Sequence, residues 1–400
     1  FRAPYVSHTP LEPKASLVQI DGDKVNVWTS TQGPFQIQQA VSDLLKVPLD
    51  NVLVTPLMSG GAFGSRSSAV AELEAAQLAK GIGKPVIIQW TRQEELQWGR
   101  FRPAAQVEIS AGLDANGAPV GWKYDLYSAG YFPEGAEMAT SASANASASV
   151  TDVYDLPQAK TTFYQGASPL PVAHWRGNGT SYNVFAYEGV IDQLAEAAGK
   201  DPVSFRASLL DKNPRMKAVL DAVVAKADWK PGVGSTGQGI GVALAFADET
   251  YVAEVAKVQV DADSGQVKIL HFDVAIDAGL IVNPEAATHQ AEGSVIFSLS
   301  PTIREAAAFD NGKVTNDTWA QYQPIKFSEV PTIDVIFVED KTQPMGGMGE
   351  PAVAPVPAAV ANAIYDAVGV RLFELPFTPD RVLAAIQAKK NGTPVASPSA

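Results

Sequence analysis

The stretch Met345-Gly346-Gly347-Met348-Gly349-Glu350-Pro351 places one carboxylate on a glycine-rich bend, and an apolar, alanine-rich run over residues 353–369 follows it. Glycine adopts positive φ and lets other groups approach the backbone closely, and proline is favoured in the first turn of a helix. We therefore expect Glu350 to lie at a helix start. It is either a general base in a cavity, where partial burial raises its pKa, or a first-turn acid that complements the helix dipole. The local pattern alone favours the second interpretation, because acidic residues are common in first turns.

The overall composition is that of an acidic, globular chain. It has 400 residues, 46% of them hydrophobic, which is enough for large cores and suggests two or three domains or one elaborate domain. The net charge is −13 and there is no basic run, so a surface that binds nucleic acid or anionic lipid is not expected. The sequence begins Phe1-Arg2-Ala3-Pro4, without Met or a signal-peptide pattern, so we expect a start that was processed or cut from a longer chain.

The chain contains no cysteine. A disulfide framework, cysteine-ligated zinc, iron–sulfur clusters and a cysteine nucleophile are therefore excluded within it. The four histidines, His8, His174, His271 and His289, are scattered without short metal-ligand spacing. We accordingly expect no metal site built from protein ligands.

Hydrophobic periodicity and turn residues predict strands and helices in mixed order. Strands are predicted as a hairpin over 17–28, as a pair within 105–130, and at 52–55, 86–90, 252–260, 266–276 and 333–338. Helices are predicted at 35–45, 68–80, 182–198, 216–225 and 285–297. Because strict alternation of strand and helix is missing, the predicted fold class is α+β, with mixed sheets and packed helices.

The glycine-rich span from Pro231 to Gly241 is the best internal boundary, and it divides the chain into residues 1–232 and 233–400. Within it, Gly237-Gln238-Gly239 is interpreted as a turn that leads into a strand. The Ala- and Ser-rich segment 140–151 is either a surface loop or a close-packed contact. We expect the tail, residues 389–400, to be loose.

Three glycine loops, residues 60–64, 177–179 and 346–349, each precede a predicted helix. Bare amides at helix N-termini bind anions, so together the loops could hold an anionic cofactor, although each alone is more simply a turn. None matches a phosphate-binding loop or a dinucleotide fingerprint. Gln32, on a Thr-Gln-Gly-Pro turn, reads as a capping or surface amide. Arg176, beside Trp175, is either an anion clamp or a surface arginine stacked on its neighbouring ring.

Several motifs occur in one order along nearly the whole chain. They are Ser30-Thr31-Gln32, Leu45-Lys46-Val47-Pro48-Leu49-Asp50, Gly60-Gly61-Ala62-Phe63-Gly64, Trp175-Arg176-Gly177, Asp277-Ala278-Gly279 with Asn283-Pro284, Gln290-Ala291-Glu292-Gly293, Gly347-Met348-Gly349-Glu350-Pro351 and Ala361-Asn362-Ala363-Ile364. As an ordered set they resemble the molybdenum-binding subunit of the xanthine oxidase family. The resemblance implies the molybdopterin-binding fold of aldehyde oxidase and xanthine dehydrogenase, with its first part in 1–232 and the catalytic glutamate loop in 233–400.

The resemblance also implies roles for individual residues. Glu350 matches the family's general base, and Gln32 matches a glutamine that hydrogen-bonds an oxygen on the metal. The loops that would approach the cofactor contain Gly61, Phe63, Gly64, Arg176 and Gly349. Ser67 and Asn178 stand where other members hold substrate-orienting residues, so the identity of the substrate does not transfer. In such an enzyme a cofactor carries the redox step, and the protein supplies one base and oriented donors.

The opening His8-Thr9-Pro10-Leu11-Glu12-Pro13 looks most like the isoquinoline 1-oxidoreductase and membrane-associated aldehyde dehydrogenase branch. The cofactor segments that precede this region in that branch are not recognisable, so the chain resembles the C-terminal portion of the usual subunit. The implied cofactor is molybdenum with molybdopterin cytosine dinucleotide. The implied partners are a chain carrying the missing N-terminal part, an iron–sulfur subunit with 2Fe-2S clusters, a possible cytochrome c subunit and a small-molecule substrate.

Two functions remain open from the sequence. The first is a molybdenum hydroxylase subunit that oxidises an aldehyde or an N-heteroaromatic compound with water as oxygen donor. The second is a non-catalytic scaffold or assembly subunit of such a complex. The start of the chain, its lack of cysteine and the branch it resembles favour a periplasmic location.

Overall fold

The computed structural model describes residues 1–131, 153–232 and 237–393. The Ala- and Ser-rich segment 140–151 and most of the predicted loose tail lie outside the described residues. Sixteen strands are described. They are β1 (Arg2–Ala3), β2 (Val6–Ser7), β3 (Ala15–Asp21), β4 (Lys24–Thr29), β5 (Val52–Pro56), β6 (Val86–Gln89), β7 (Phe101–Arg102), β8 (Ala105–Leu113), β9 (Pro119–Ser128), β10 (Ala159–Gln165), β11 (Gln238–Ala247), β12 (Thr250–Val260), β13 (Val267–Asp277), β14 (Phe309–Asp310), β15 (Lys313–Val314) and β16 (Thr332–Phe337).

Nine α-helices lie among the same described residues. They are α1 (Pro34–Leu45), α2 (Ala71–Ile82), α3 (Arg92–Trp98), α4 (Thr180–Ala197), α5 (Pro202–Ala207), α6 (Pro214–Ala227), α7 (Pro284–Ile303), α8 (Val356–Val368) and α9 (Pro379–Lys390). The α+β class and the mixed sheets expected from the sequence are confirmed.

The N-terminal sheet has the order β5-β4-β3-β6. Its central hairpin, β3 with β4, confirms the hairpin predicted over 17–28. Val27 of β4, Val41 of α1 and Ala75 of α2 belong to one separate core cluster, so α1 and α2 cover one face of this sheet. The sheet positions Gln32, which follows β4 directly, and the loop 60–64, which follows β5.

A second sheet has the order β11-β12-β13-β16 and is antiparallel except for the parallel β13–β16 pair. Helix α8 lies very close to β11, because Gly239 and Gly241 present no side chain. A Cβ on Gly241 would come within 2.2 Å of the Ala363 nitrogen, and one on Gly239 within 2.1 Å of the Ala363 oxygen. Strand β11 already begins at Gln238. The interpretation of residues 237–239 as a turn that leads into a strand is therefore wrong beyond Gly237.

A third sheet has the order β1-β8-β9-β10. It packs with α4, and the largest core cluster of the molecule contains residues from this sheet, α4, α8 and the β11-β12-β13-β16 sheet together. The proposed division into 1–232 and 233–400 stays a prediction, and residues 233–236 lie outside the described chain.

Some elements were missed by the sequence patterns, namely α3, α5, α9, β10 and the two-residue strands. Helix α9 buries only Val382, Ala385 and Ile386, which is too narrow an apolar face to stand out. The helix start predicted at Glu350 holds for a single 3-10 turn but not for the long helix that follows. Pro351–Val353 form a short 3-10 turn, and α8 begins only at Val356. Pro355 and Pro357 have no N–H to donate to carbonyls four residues earlier, so a regular helix cannot run from residue 351.

One buried acid lies in the interior of the β11-β12-β13-β16 sheet. Glu254 of β12 is fully buried, and neither carboxylate oxygen has a hydrogen-bond partner in the described chain. It pairs with Ala243, which shares the face of β11 that Gly239 and Gly241 turn towards α8. Burial raises the pKa of Glu254 well above its usual value. This group is therefore neutral in the folded protein under conditions that ionise it in the unfolded chain.

Glu254→Met should stabilise the fold at neutral pH by about 1–3 kcal/mol, the cost of burying an unsatisfied polar group. The pKa of Glu254 is higher in the folded than in the unfolded state. The stability contributed by its protonated form is therefore fully present below the unfolded-state pKa and is lost as pH rises through the folded-state pKa. The extra stability of Glu254→Met over wild type should accordingly become smaller as pH falls towards 4. Chemical denaturation at several pH values measures it, with Glu108→Met at an exposed strand position as control. An equal gain at every pH would contradict the assignment.

Candidate active site

Arg176 joins two of the glycine loops. Its backbone N–H donates to the Phe63 carbonyl at 3.0 Å, and its side-chain Nε donates to the Gly349 carbonyl at 2.8 Å. The loop 60–64, the loop 174–179 and the loop that ends at Glu350 therefore meet at one place, although their positions in the sequence are far apart.

The remaining donors of Arg176 are directed at α7. Nη1 donates to the Gly293 carbonyl at 3.2 Å, and Nη2 donates to Gln290 Oε1 at 3.0 Å and to Ser294 Oγ at 2.8 Å. The guanidinium is buried and lies over the ring of Phe297, not of Trp175. The surface-arginine interpretation is therefore wrong. The group holds backbone segments in place instead of presenting free donors to an anion.

Glu350 is half-buried where these loops meet. Its Oε2 accepts a hydrogen bond from the Gly177 N–H at 3.0 Å. Burial raises the pKa of Glu350 above its ordinary value, and the charge of Asp248 acts in the same direction. The Gly177 hydrogen bond and the positive charge of Arg176 oppose the shift without cancelling it. The result is a carboxyl group with a raised pKa that is held at one oxygen by a backbone N–H.

The loop 346–349 owes its path to glycine. A Cβ on Gly346 would lie 2.4 Å from Thr250 Oγ1, at the turn between β11 and β12. The Gly347 N–H donates to the Asp248 carbonyl at 2.7 Å, and Thr250 Oγ1 donates to the Gly347 carbonyl at 2.7 Å. At Gly349, by contrast, a Cβ would meet no heavy atom of the described chain within 4 Å. Open space therefore adjoins the residue that precedes Glu350.

The loop 60–64 is fixed from two sides. The Gly64 N–H donates to Gln32 Oε1 at 3.1 Å, and Gly64 has a φ of +104°. A Cβ on Gly64 would lie 2.0 Å from the His174 carbonyl oxygen, so only glycine allows this loop to reach the segment before Arg176. The Gln32 side chain is exposed, and within the described residues no protein group accepts from its Nε2. That amide is available to donate to a ligand.

Aromatic stacking supports the same junction. The ring of Phe63 lies 4.5 Å from that of Phe297, which in turn lies 4.6 Å from Trp175. Gly61 has a φ of +96°, and a Cβ at this position would lie 3.1 Å from the Phe63 ring. The structure thus links the predicted site residues in one chain of contacts from Gln32 through Gly64, Phe63 and Arg176 to Gly349 and Glu350.

Two further residues of the site were not recognised from the sequence as positioning groups. The ring nitrogens of buried His8 lie 2.9 Å from the Arg100 carbonyl and 2.5 Å from the His174 carbonyl, and burial lowers the pKa of His8 to about 4. Glu12 accepts hydrogen bonds from Ser30 Oγ and the Gly60 N–H. Both lie in the opening motif His8–Pro13, which is the signal that would have found them.

No helix in the described part of the chain is long and apolar enough to cross a membrane.

Two family models match the sequence, both described as molybdopterin cofactor-binding domains. The first matches residues 1–209 and the second residues 183–331.

Relatives align along almost the whole chain. It is 31% identical to one subunit of the nicotinate dehydrogenase of Pseudomonas putida, over 99% of its own length and 35% of the relative's. It is 27% identical to the beta subunit of the isoquinoline 1-oxidoreductase of Brevundimonas diminuta, over 97% and 50% of the two chains. It is also 27% identical to the membrane-bound aldehyde dehydrogenase (pyrroloquinoline-quinone) of Gluconacetobacter polyoxogenes, over 96% and 53%. The chain thus spans between about a third and about half of these relatives.

Solved structures share the fold. Quinoline 2-oxidoreductase from Pseudomonas putida 86 superposes with a TM-score of 0.83 at 16% identity, over 97% of this chain and 75% of that one. Aldehyde oxidoreductase from Desulfovibrio gigas superposes with a TM-score of 0.81 at 17% identity, over 97% and 61%. The family models and the relatives confirm the expected resemblance. The chain belongs to the molybdopterin cofactor-binding domain family, and it corresponds to the C-terminal portion of the molybdenum subunits of the xanthine oxidase family.

Proposed function

We propose that this chain, together with the sequence that completes its subunit, forms a molybdenum hydroxylase that oxidises an aldehyde or an N-heteroaromatic compound. The observation that carries the proposal is Glu350, a half-buried carboxyl with a raised pKa at the meeting point of three glycine loops. Membership of the family and the names of the relatives, which include nicotinate, isoquinoline and aldehyde oxidoreductases, support the same substrate classes.

The residues at the site fit a bound molybdopterin cofactor. Open space adjoins Gly349, and the exposed Gln32 side chain offers an N–H donor beside the loop 60–64. The metal-capable cluster of the described chain lies elsewhere, around His271, so the molybdenum would be brought to the site by its own cofactor. When bound, the cofactor supplies the acceptor for two electrons. Gln32, Gly61, Phe63, Gly64 and Gly349 would form this chain's share of its binding surface.

The task of Glu350 follows from the balance of the reaction. Converting a substrate C–H and one water into C–OH releases two electrons and two protons. The Gly177 N–H holds Glu350 Oε2, so we assign acceptance of a proton from the attacking nucleophile to Oε1. A general base works best when its pKa lies near the operating pH, and burial shifts the pKa of Glu350 in that direction.

The electrons must leave through groups outside this chain, because it contains no cysteine to hold an iron–sulfur cluster. We propose an iron–sulfur partner with 2Fe-2S clusters, and a cytochrome c subunit as a further electron acceptor. We also propose the cytosine dinucleotide form of the cofactor, a contribution from a chain that carries the N-terminal part of the subunit, and a periplasmic location. These follow from the branch that the motifs resemble. The second candidate, a non-catalytic scaffold subunit, is separated from the first by the experiment below.

Glu350→Gln in the assembled enzyme should lower kcat by roughly 10²–10⁴-fold, the usual contribution of a general base. Glutamine keeps the shape and can still accept from Gly177, so the molybdenum content per complex should stay unchanged. Steady-state kinetics and metal analysis of the same preparation measure both quantities. Glu249→Gln, an exposed acid on the turn beneath the same loop, is the control.

A Glu350→Gln complex with normal cofactor content and normal turnover would remove Glu350 from the chemistry and favour the scaffold. Loss of molybdenum together with activity would instead show that Glu350 is needed to hold the cofactor. Active, fully assembled enzyme without molybdenum would overturn the proposed function altogether.

The pH dependence of kcat/KM should show an acid limb set by Glu350. The base must be deprotonated, so activity falls as pH decreases through a pKa that burial holds above the ordinary 4.5. Because the charge of Asp248 raises this pKa, Asp248→Asn should move the acid limb to lower pH. Asp263→Asn, in an exposed turn between β12 and β13, should leave it in place. An unmoved limb in Asp248→Asn would show that another group sets it.

Arg176→Lys distinguishes a bridging role from an anion clamp. Lysine keeps the charge but cannot reach Gly349, Gly293 and Ser294 together, so buried oxygens lose their partners. We expect a destabilisation of about 3 kcal/mol or more, since hydrogen bonds to charged groups contribute ~1.5–3 kcal/mol each, together with a large loss of activity. Chemical denaturation and kinetics measure the two effects. Arg381→Lys, in a half-exposed ion pair with Glu374, is the control, and near-normal stability and activity in Arg176→Lys would favour a simple clamp.

A further inference from the structure

The parallel pairing of β13 with β16 brings three metal-capable side chains to one face of the sheet. Asp273 and Asp334 are direct register partners, and His271 precedes Asp273 by two residues. Alternate residues of a strand share a face and neighbouring strands lie about 4.8 Å apart. All three side chains therefore project from the same side of the sheet, where α6 packs on β12 and β13.

The spacing of the three side chains suits a small divalent ion. One potential ligand atom from each residue lies within 4.8 Å of the others, and His271 Nε2 lies 3.1 Å from Asp273 Oδ1. Ligands at about 2.0–2.2 Å from a tetrahedral ion are roughly 3.4 Å apart. Closing the present arrangement around an ion therefore requires only small side-chain movements, chiefly of Asp334, which is 41% exposed.

A second, independent observation comes from the burial of Asp273. Its side chain is only 2% exposed, and its Oδ2 has no hydrogen-bond partner in the described chain. Buried charges are normally paired and hydrogen-bonded or coordinate a metal, because burying them otherwise is costly. This oxygen accepts no hydrogen bond, and its ion-pair partner, Lys257 Nζ, lies 3.6 Å away, so a cation that binds more closely can take the place of that lysine.

Two lysines compete for the same carboxylates. Lys226 of α6 lies 2.8 Å from Asp334 Oδ2, and Lys257 of β12 lies 3.6 Å from Asp273 Oδ2. Both lysine side chains are about two-fifths exposed, and the Lys226–Asp334 pair, which is exposed on both sides, contributes little stability. Their long side chains can therefore turn towards solvent when an ion with two charges takes their place.

We propose that His271, Asp273 and Asp334 form a binding site for a divalent transition metal ion of the zinc class. One imidazole nitrogen with two carboxylate oxygens is a donor set that such ions accept, with water completing the coordination. The ion would fasten β16, the last strand of its sheet, to β13. Since β16 leads into the segment that ends at Glu350, the site would hold the approach to that segment without taking part in the chemistry. This inference departs from the sequence expectation of no metal site built from protein ligands, and it does not depend on the proposed function.

The experiment titrates the full chain, first treated with chelator, with Zn²⁺ by calorimetry and with Co²⁺ by its visible absorption. One tight site per chain is expected, with an absorption spectrum of four- or five-coordinate Co²⁺. His271→Ala should weaken binding by at least the roughly tenfold that loss of even an outer-shell partner costs. His289→Ala, which removes an exposed histidine on α7, should leave the affinity unchanged.

Lys226→Gln tests the competition without removing a ligand. It should tighten Zn²⁺ binding measurably, because the carboxylate of Asp334 is released, while folding should be little affected at this exposed position. Thermal unfolding should show a larger rise in Tm with Zn²⁺ for this variant than for wild type. No binding by wild type, equal binding by His271→Ala, or weaker binding by Lys226→Gln would each overturn the proposal.

Discussion

The arrangement of the site depends on one buried cation. Arg176 sits among Gly349, Gly293, Gln290 and Ser294, and its five side-chain hydrogen bonds reach segments 114 to 173 residues away in sequence. Taking a guanidinium out of water is costly unless its donors are satisfied. Here backbone carbonyls and two side-chain oxygens satisfy them, so the desolvation cost is offset only while all these segments stay in place. The residue therefore makes the loops interdependent, and this fixes where Glu350 lies relative to Gly177.

Glycine supplies the second constraint. Gly64 and Gly346 lie where a side chain would collide with the His174 carbonyl and with Thr250, whereas Gly349 faces open space. The first two allow backbone segments to touch, and the third leaves room beside Glu350. The same residue type thus performs two tasks in the site. The surrounding loops half-bury the carboxyl of Glu350, and this burial is the largest contribution to its raised pKa.

The sequence predicted the long periodic elements well, since their signals are local. The hairpin of β3 and β4, the helices α1 and α4 and the strands β12, β13 and β16 appear within a few residues of their expected bounds. Helix α7 begins close to its expected start but continues to Ile303, past the expected end at residue 297. Ordered motifs also identified Gln32, Phe63, Arg176 and Glu350 as members of one site. The sequence does not decide the role of Arg176, because its partners lie on α7 and on the Glu350 loop and only the tertiary fold brings them together. The break between Glu350 and α8 is not evident from the sequence, because a proline at 351 is compatible with a helix start whereas Pro355 and Pro357 interrupt the helix after it.

Two buried acids in one sheet show why residue type alone does not assign function. Glu254 and Asp273 belong to neighbouring strands, and their register partners, Val274 and Val255, place them on opposite faces. Glu254 faces the side covered by the alanine-rich helix α8, where no charged group of the described residues compensates it, so burial raises its pKa and it stays neutral. Asp273 faces His271 and Lys257, so its charge has partners. Burial of Glu254 lowers the stability of the fold, and the packing around α8 offsets that loss. Asp273, by contrast, has surroundings in which a cation can bind. Strand register sets this difference, and the sequence context of either residue does not.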